Sequence, residues 1–417
     1  MHINKRVKLA VIAMILVISI GTLFYKVSSK PITEEKWLKE NSTSINLKND
    51  DDFSGFELLK DDLDKHDVFF TGEMHGVGIN DELHFKFLKY FVKKAKVKNF
   101  LIEHSPCEGY FLNKYIQTGN IEFLNKFSRN VNCSKEQYEK WKGIYKFNSI
   151  LNKKDKIQVI GIDISDSDET YYYFLSSILD KYKIPKEISK DIQSFKNLKS
   201  KMQNSSYEQM ANLVGDYKKS VENNSDLYKN FLNKDFKIFE YVLDNFYYCT
   251  KWNNITLKSE EFFKYREEKM YDNLKKIYSN LPKGKYYGHF GNDHILQKGN
   301  NLAAFINENN KLKNKVLSIR TLYENSFSLY FCKGEYIPVD LPKLNAKLTA
   351  LLNPLNNSNQ VLFKITGEKS PFSKIKDSKY FQLDMKEDKK PLEKYCVKDY
   401  SQYFLLIRKA KPVTPMK

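Results

Sequence analysis

The chain reads as an α/β protein with a mainly parallel central sheet flanked by helices and a large helical insertion capping the C-terminal edge of the sheet. Three observations predict this. Short apolar runs bounded by turn residues recur at Val68–Glu73, Asn99–Glu103, Ile157–Asp163 and Lys285–His289, as buried parallel strands do. Between the first two runs, Leu83, Phe87, Leu88 and Phe91 repeat at helical spacing, which gives a strand–helix–strand unit and hence a right-handed parallel pair. Each run also ends in acids or histidines, and in open α/β sheets the carboxyl ends of the strands meet at the edge where sites are built.

A chain of 417 residues can bury a sizeable core, and its 41% hydrophobic and 14% aromatic content excludes general disorder. The net charge of +18 raises a nucleic-acid reading, but nearly all of the excess is lysine spread along the chain. Arginine, the residue of bidentate phosphate and base recognition, occurs only at positions 6, 129, 266, 320 and 408, so no nucleic-acid partner is expected. Cys107, Cys133, Cys249, Cys332 and Cys396 are widely spaced, form no C-x-x-C pair and support no disulfide assignment.

From the N-terminus, Lys5, Arg6 and Lys8 precede an uncharged, mostly apolar run from Leu9 to Tyr25. This predicts a membrane anchor or secretory signal over residues 1–26, with the positive flank inside. The expected localisation is the cell membrane, single-pass, with an extracytoplasmic body, or secretion if the segment is cleaved. Residues 27–64 are polar and charged and read as a tether with short helices. The main domain is expected over 65–417. Within it, residues 169–279 are mostly amphipathic helix and form the insertion, a cap over the sheet edge. Asn292–Asn307 reads as a further helix, Lys315–Tyr323 as a strand, Tyr403–Ile407 as an edge strand and Lys409–Lys417 as a polar tail.

The chemistry-bearing residues lie at the strand ends. Thr71-Gly72-Glu73-Met74-His75-Gly76 places Glu73 and His75 on one side of the chain, because extended backbone alternates with period two. A carboxylate beside an imidazole makes a general base that is held and strengthened. Glu103 ends the second run, where burial is costly without a partner, and Asp163 ends the third. His289 and His294 close the fourth segment, while His84 reads as an ordinary, partly buried helix residue, although His75 and His84 could both reach a metal, and His104 as pointing to the opposite face from Glu103.

In these residues the chain resembles the erythromycin esterase-like family. The matching pieces are Gly72-Glu73…His75, Glu103, Gly161…Asp163, the helix from Arg266 to Asn273, His289…Asn292…His294, and Leu405-Leu406-Ile407 with Pro412. The resemblance implies a hydrolase that cleaves an ester or related acyl bond of a small molecule with activated water and no serine nucleophile. Carried over, His75 is the general base, Glu73 and Glu103 orient it, and His289 stabilises developing charge or shuttles a proton. Asp163, Arg266 and His294 are the expected substrate-binding residues, and no cofactor is required. The Gly-Glu-x-His spacing is tighter than in the erythromycin esterases and looks more like the haem-binding lipoproteins and Tiki-type metalloproteases of the same superfamily. Two alternatives stay open: a metal-dependent hydrolase using Glu73, His75, Glu103 and His289 as ligands, and a non-enzymatic haem or ligand-binding surface protein.

Overall fold

The computed structural model describes residues 32–416 apart from 132, 258, 281–283, 309–311, 313, 333–334, 345, 356–357 and 376–394. Ten strands occur among the described residues: β1 (Ser42–Ser44), β2 (Val68–Glu73), β3 (Val97–Ile102), β4 (Gln158–Gly161), β5 (Lys285–Gly291), β6 (Val316–Glu324), β7 (Phe327–Cys332), β8 (Glu335–Asp340), β9 (Gln360–Lys364) and β10 (Tyr403–Arg408). Eight of them form one sheet in the order β1-β9-β10-β6-β2-β5-β3-β4, and β7 and β8 form a separate hairpin. From β10 to β4 every neighbouring pair is parallel; β9 and β1 add an antiparallel margin.

The apolar runs become central strands because both of their faces are covered. Phe69 and Tyr287 pack with Phe87 and Phe91 of the helix Ile79–Ala95 on one face. Phe70 and Tyr286 pack with Met270 and Leu274 of the helix Glu260–Asn280 on the other. Each such side chain, buried fully, contributes roughly 1.5–3 kcal/mol before conformational entropy is charged against it. Ser105 caps the helix Pro106–Thr118 with a capping box to Glu108, and this helix lies so close to β4 that a Cβ on Gly109 would come within 2.3 Å of the Gly161 nitrogen. Only glycine fits there.

The insertion runs through helices from Asp168–Leu179 to Glu260–Asn280 and has its own core, built on Tyr171, Phe195, Tyr217, Phe239 and Phe246. The helix Glu260–Asn280 then returns the chain to the sheet, and Asn273 Nδ2 donates to the carbonyl of Ile162 at 2.8 Å.

Several expectations are corrected. Tyr403–Arg408 is not an edge strand: it sits between β9 and β6, buried at every position, and the antiparallel margin lies outside it. The run after Asn292 is turn rather than helix up to Leu302–Glu308, because the Asn292 side chain is engaged with the main chain of Thr321 in both directions. The tail is strapped down, with Val77 bridging Pro412 and Ser134 bridging Pro415. Within the stretch read as a tether, Ser42–Ser44 pairs with β9, and Trp37 and Leu38 are buried.

The membrane expectation is also corrected. No helix among the described residues is long and apolar enough to cross a membrane, and Leu9–Tyr25 lies outside the described residues. The anchor, the membrane as a partner and the single-pass cell-membrane localisation are therefore withdrawn.

Candidate functional site

Alternation on two strands brings the first residues together. On β2 it sends Phe69, Thr71 and Glu73 toward the helix Ile79–Ala95, and on β5 it sends Tyr287 and His289 the same way. The Thr71 and Tyr287 hydroxyls meet at 2.7 Å, and the next layer toward the strand ends places His289 Nε2 2.8 Å from Glu73 Oε2. Gly72 permits this approach from β5, since a Cβ there would lie 2.4 Å from Asn292 Oδ1. Gly76, at φ 78°, then turns the chain so that His75 folds back, its Nδ1 2.8 Å from Glu73 Oε1.

Glu103, just past β3, completes the centre. Its Oε1 lies 3.7 Å from His75 Nε2 and receives bonds from Arg266 Nη2 at 2.9 Å and His294 Nε2 at 3.0 Å. Its Oε2 accepts from the Gly291 amide at 2.6 Å. Arg266 reaches in from the insertion helix and also grips Asp163 through Nε at 3.0 Å and Nη2 at 2.6 Å. His294 is clamped from behind by Glu267. Glu73, His75, Glu103, Asp163, Arg266 and His289 line a polar cleft of about 440 Å³, whose other walls include Gln137, Lys140, Trp141 and Val413.

The electrostatics divide the imidazoles into two kinds. Burial works against charge on His75, but Glu103 and Glu73 outweigh it and raise its pKa to about 9. The side chain as a whole is 60% exposed, so solvent moderates the size of that shift while the facing carboxylates fix its direction. His294 is pushed up as well, with burial overcome by Glu267 and Glu103. For His84 and His289 burial wins, and both rings are pushed below the usual histidine range. Burial opposes ionisation of Glu73 and Glu103, yet the facing imidazoles, joined at Glu103 by Arg266, hold both well below the usual carboxylate range.

The structure thus gathers Glu73, His75, Glu103, Asp163, Arg266, His289 and His294 at one edge. Of the three residues expected to bind substrate, Arg266 is engaged with Asp163 and Glu103, and His294 with Glu103. Sequence reasoning left two members outside the expected site residues. His84 belongs to the site, with Nδ1 3.5 Å from Glu73 Oε2 and its ring centroid 3.2 Å from that of His289. Its signal was present in the helical spacing Asn80, His84, Phe87, Phe91, which is a buried face. Glu267 was hidden because only the fold shows that consecutive residues 266 and 267 both reach the strand ends. His104 stands apart from the centre, 3.1 Å from Glu108, though it too lines the cleft.

No family model matches the chain, and no curated protein matches it in sequence. Solved structures do match. A protein from Bacillus cereus superposes with a TM-score of 0.72 at 17% identity, over 93% of this chain and 100% of its own. A succinoglycan biosynthesis protein gives 0.70 at 18% identity, over 91% and 97% of the respective chains. A mutant of the erythromycin esterase EreC, in its open conformation, gives 0.66 at 12% identity, over 88% and 97%. At such identities the likeness is one of fold, and the chain has the erythromycin esterase-like fold that its ordered strand-end motifs imply.

Proposed function

We propose that the chain is a hydrolase cleaving an ester or related acyl bond of a small molecule, with water activated by His75 under the control of Glu73 and Glu103. The observation that carries this reading is the suspension of His75 between two carboxylates, Nδ1 on Glu73 and Nε2 toward Glu103, with its open face at the cleft. The cleft volume of about 440 Å³ suits a small molecule. The esterase among the structural relatives supports the same reaction class.

In the proposed reaction, neutral His75 takes a proton from water as the water oxygen attacks the acyl carbon. That proton passes to the leaving oxygen as the carbon–oxygen bond breaks, releasing an acid and an alcohol. The two carboxylates keep His75 largely protonated at rest, so the base is the fraction that has released its proton. The same carboxylates stabilise the imidazolium formed in the transition state. Arg266, which lines the cleft, supplies positive charge for the developing oxyanion, an interaction typically worth ~3 kcal/mol. His289, with Nε2 2.8 Å from the other oxygen of Glu73, bounds that carboxylate from below.

The test is hydrolysis of a panel of model esters and peptides by the folded chain and its His75→Ala variant. Esters should be cleaved, and the variant should be slower by roughly a hundredfold or more. Equal rates in the two proteins would remove His75 from the mechanism, and cleavage confined to peptides would reassign the substrate class.

A further inference from the structure

Beneath His75 lies a second constellation that the proposed hydrolysis does not use in full. Glu73 Oε2, His84 Nδ1 and His289 Nε2 lie within 4.8 Å of one another. The oxygen is 2.8 Å from the His289 nitrogen and 3.5 Å from the His84 nitrogen. Despite that closeness, both nitrogens are buried and neither makes a hydrogen bond. Buried polar atoms without partners are uncommon and costly. Here two occur side by side on rings whose centroids are 3.2 Å apart, closer than the 4.5–7 Å of ordinary aromatic pairs. His84 is only 2% exposed, so bulk water does not satisfy it.

We infer that Glu73, His84 and His289 form a binding site for a divalent transition-metal cation. Two imidazoles and one carboxylate are a ligand set suited to zinc and its first-row neighbours. A tetrahedral ion with bonds of about 2.0–2.1 Å spaces its ligand atoms about 3.3 Å apart, and the distances here straddle that value. One ion satisfies both orphaned nitrogens at once. The support expected behind such a site is present, because His75 Nδ1 holds Glu73 Oε1 and fixes the carboxylate plane. Glu73 and His289 line the cleft, which gives the ion a route in and leaves a coordination position facing the cavity. Three protein ligands with an open position are the pattern of reactive rather than purely structural zinc sites.

The test uses the whole chain and needs no substrate. The protein is stripped with chelator, checked by circular dichroism, and titrated with zinc alone; bound metal is counted by mass spectrometry and the thermal midpoint is followed. One equivalent per chain and an upward thermal shift are expected, with cobalt giving the visible absorption of a low-coordinate nitrogen–oxygen site. His84→Gln and His289→Gln, close in volume to histidine, should weaken zinc binding by roughly a hundredfold or more, whereas His75→Ala, which removes only the outer support of Glu73, should still bind one equivalent with a smaller loss of affinity. Folded wild-type chain that takes up no zinc overturns the inference, as does uptake unchanged in the two glutamine variants. Should those variants fail to fold, the wild-type cobalt spectrum decides: bands of a six-coordinate, all-oxygen ion refute the site. Because the readout is metal content, its failure is separable from failure of the ester assay.

Discussion

Two glutamates stand at neighbouring strand ends, and their surroundings are opposite in kind. Glu103 is tied by the Gly291 amide, the Arg266 guanidinium and His294, an imidazole whose pKa Glu267 and Glu103 push up. Glu73 faces only imidazoles, namely His75, His84 and His289, two of them with nitrogens that make no hydrogen bond. The first carboxylate is anchored, whereas the second sits among groups that can gain or lose a proton or accept a metal. The proposed chemistry therefore centres on Glu73 and His75, with Glu103 as the frame against which they would work.

The sharpest way to break this comparison is to remove the cation of the anchored side. Arg266→Met leaves Glu103 and Asp163 buried without their guanidinium, and breaking a buried charge pair in this way costs roughly 3–5 kcal/mol. Glu73→Gln keeps the shape and removes a charge set among imidazoles, with an expected cost of about 1–2 kcal/mol. Denaturant unfolding of the two variants measures the contrast. Equal losses would mean that the two carboxylates are held alike.

Acid titration sharpens it further. Glu103 has its folded pKa well below the ordinary glutamate value of 4.5, so the folded protein binds fewer protons there than the unfolded chain. Its contribution is present above about pH 4.5 and is lost as the pH falls toward the folded value. In Glu103→Gln that pH-dependent part disappears: the variant should be less stable at pH 7 and should lose less stability between about pH 5 and pH 3, a difference of roughly 1–3 kcal/mol. Parallel unfolding curves of wild type and variant across that range would show that Glu103 is not anchored by charge.

The strand half of this comparison was legible in the chain, and the helix half only at Arg266. Strands β2, β3, β4 and β5 announced themselves because apolar residues with both faces covered form continuous runs, and their polar ends named Glu73, Glu103, Asp163 and His289 directly. For His84 the ordinary reading was favoured over a metal-binding one, because a lone histidine on an apolar helix face is indistinguishable from core until the strands opposite it are known. Tyr403–Arg408 read as an edge because it comes last in the chain, but sheet order is set by packing, and β9 with β1 covers its outer side. Val413 reaches the cleft only because residues 412 and 415 bridge to 77 and 134, pairings so distant in sequence that no local pattern records them.

A further carboxylate, Asp166, gives the smallest test and the opposite sign. Asp166 accepts from the Ser105 hydroxyl at 2.5 Å and the Ser167 amide at 2.7 Å, but its charged neighbour is another acid, Glu108. Burial, and then the charge of Glu108, raise its pKa to about 7. The folded protein therefore holds a proton on Asp166 from about pH 4 to pH 7 that the unfolded chain has released, so stability falls as pH rises through that window. Asp166→Asn keeps an acceptor for Ser105 and cannot ionise. It should match the wild type near pH 4 and exceed it above pH 7, by about 1 kcal/mol once partial exposure is allowed for. Thermal midpoints at about pH 4.5 and pH 8 read the difference directly. If the Asp166→Asn variant is no more stable than the wild type at the higher pH, then this carboxylate stays charged without a cation, and the contrast between the two glutamates cannot rest on Arg266.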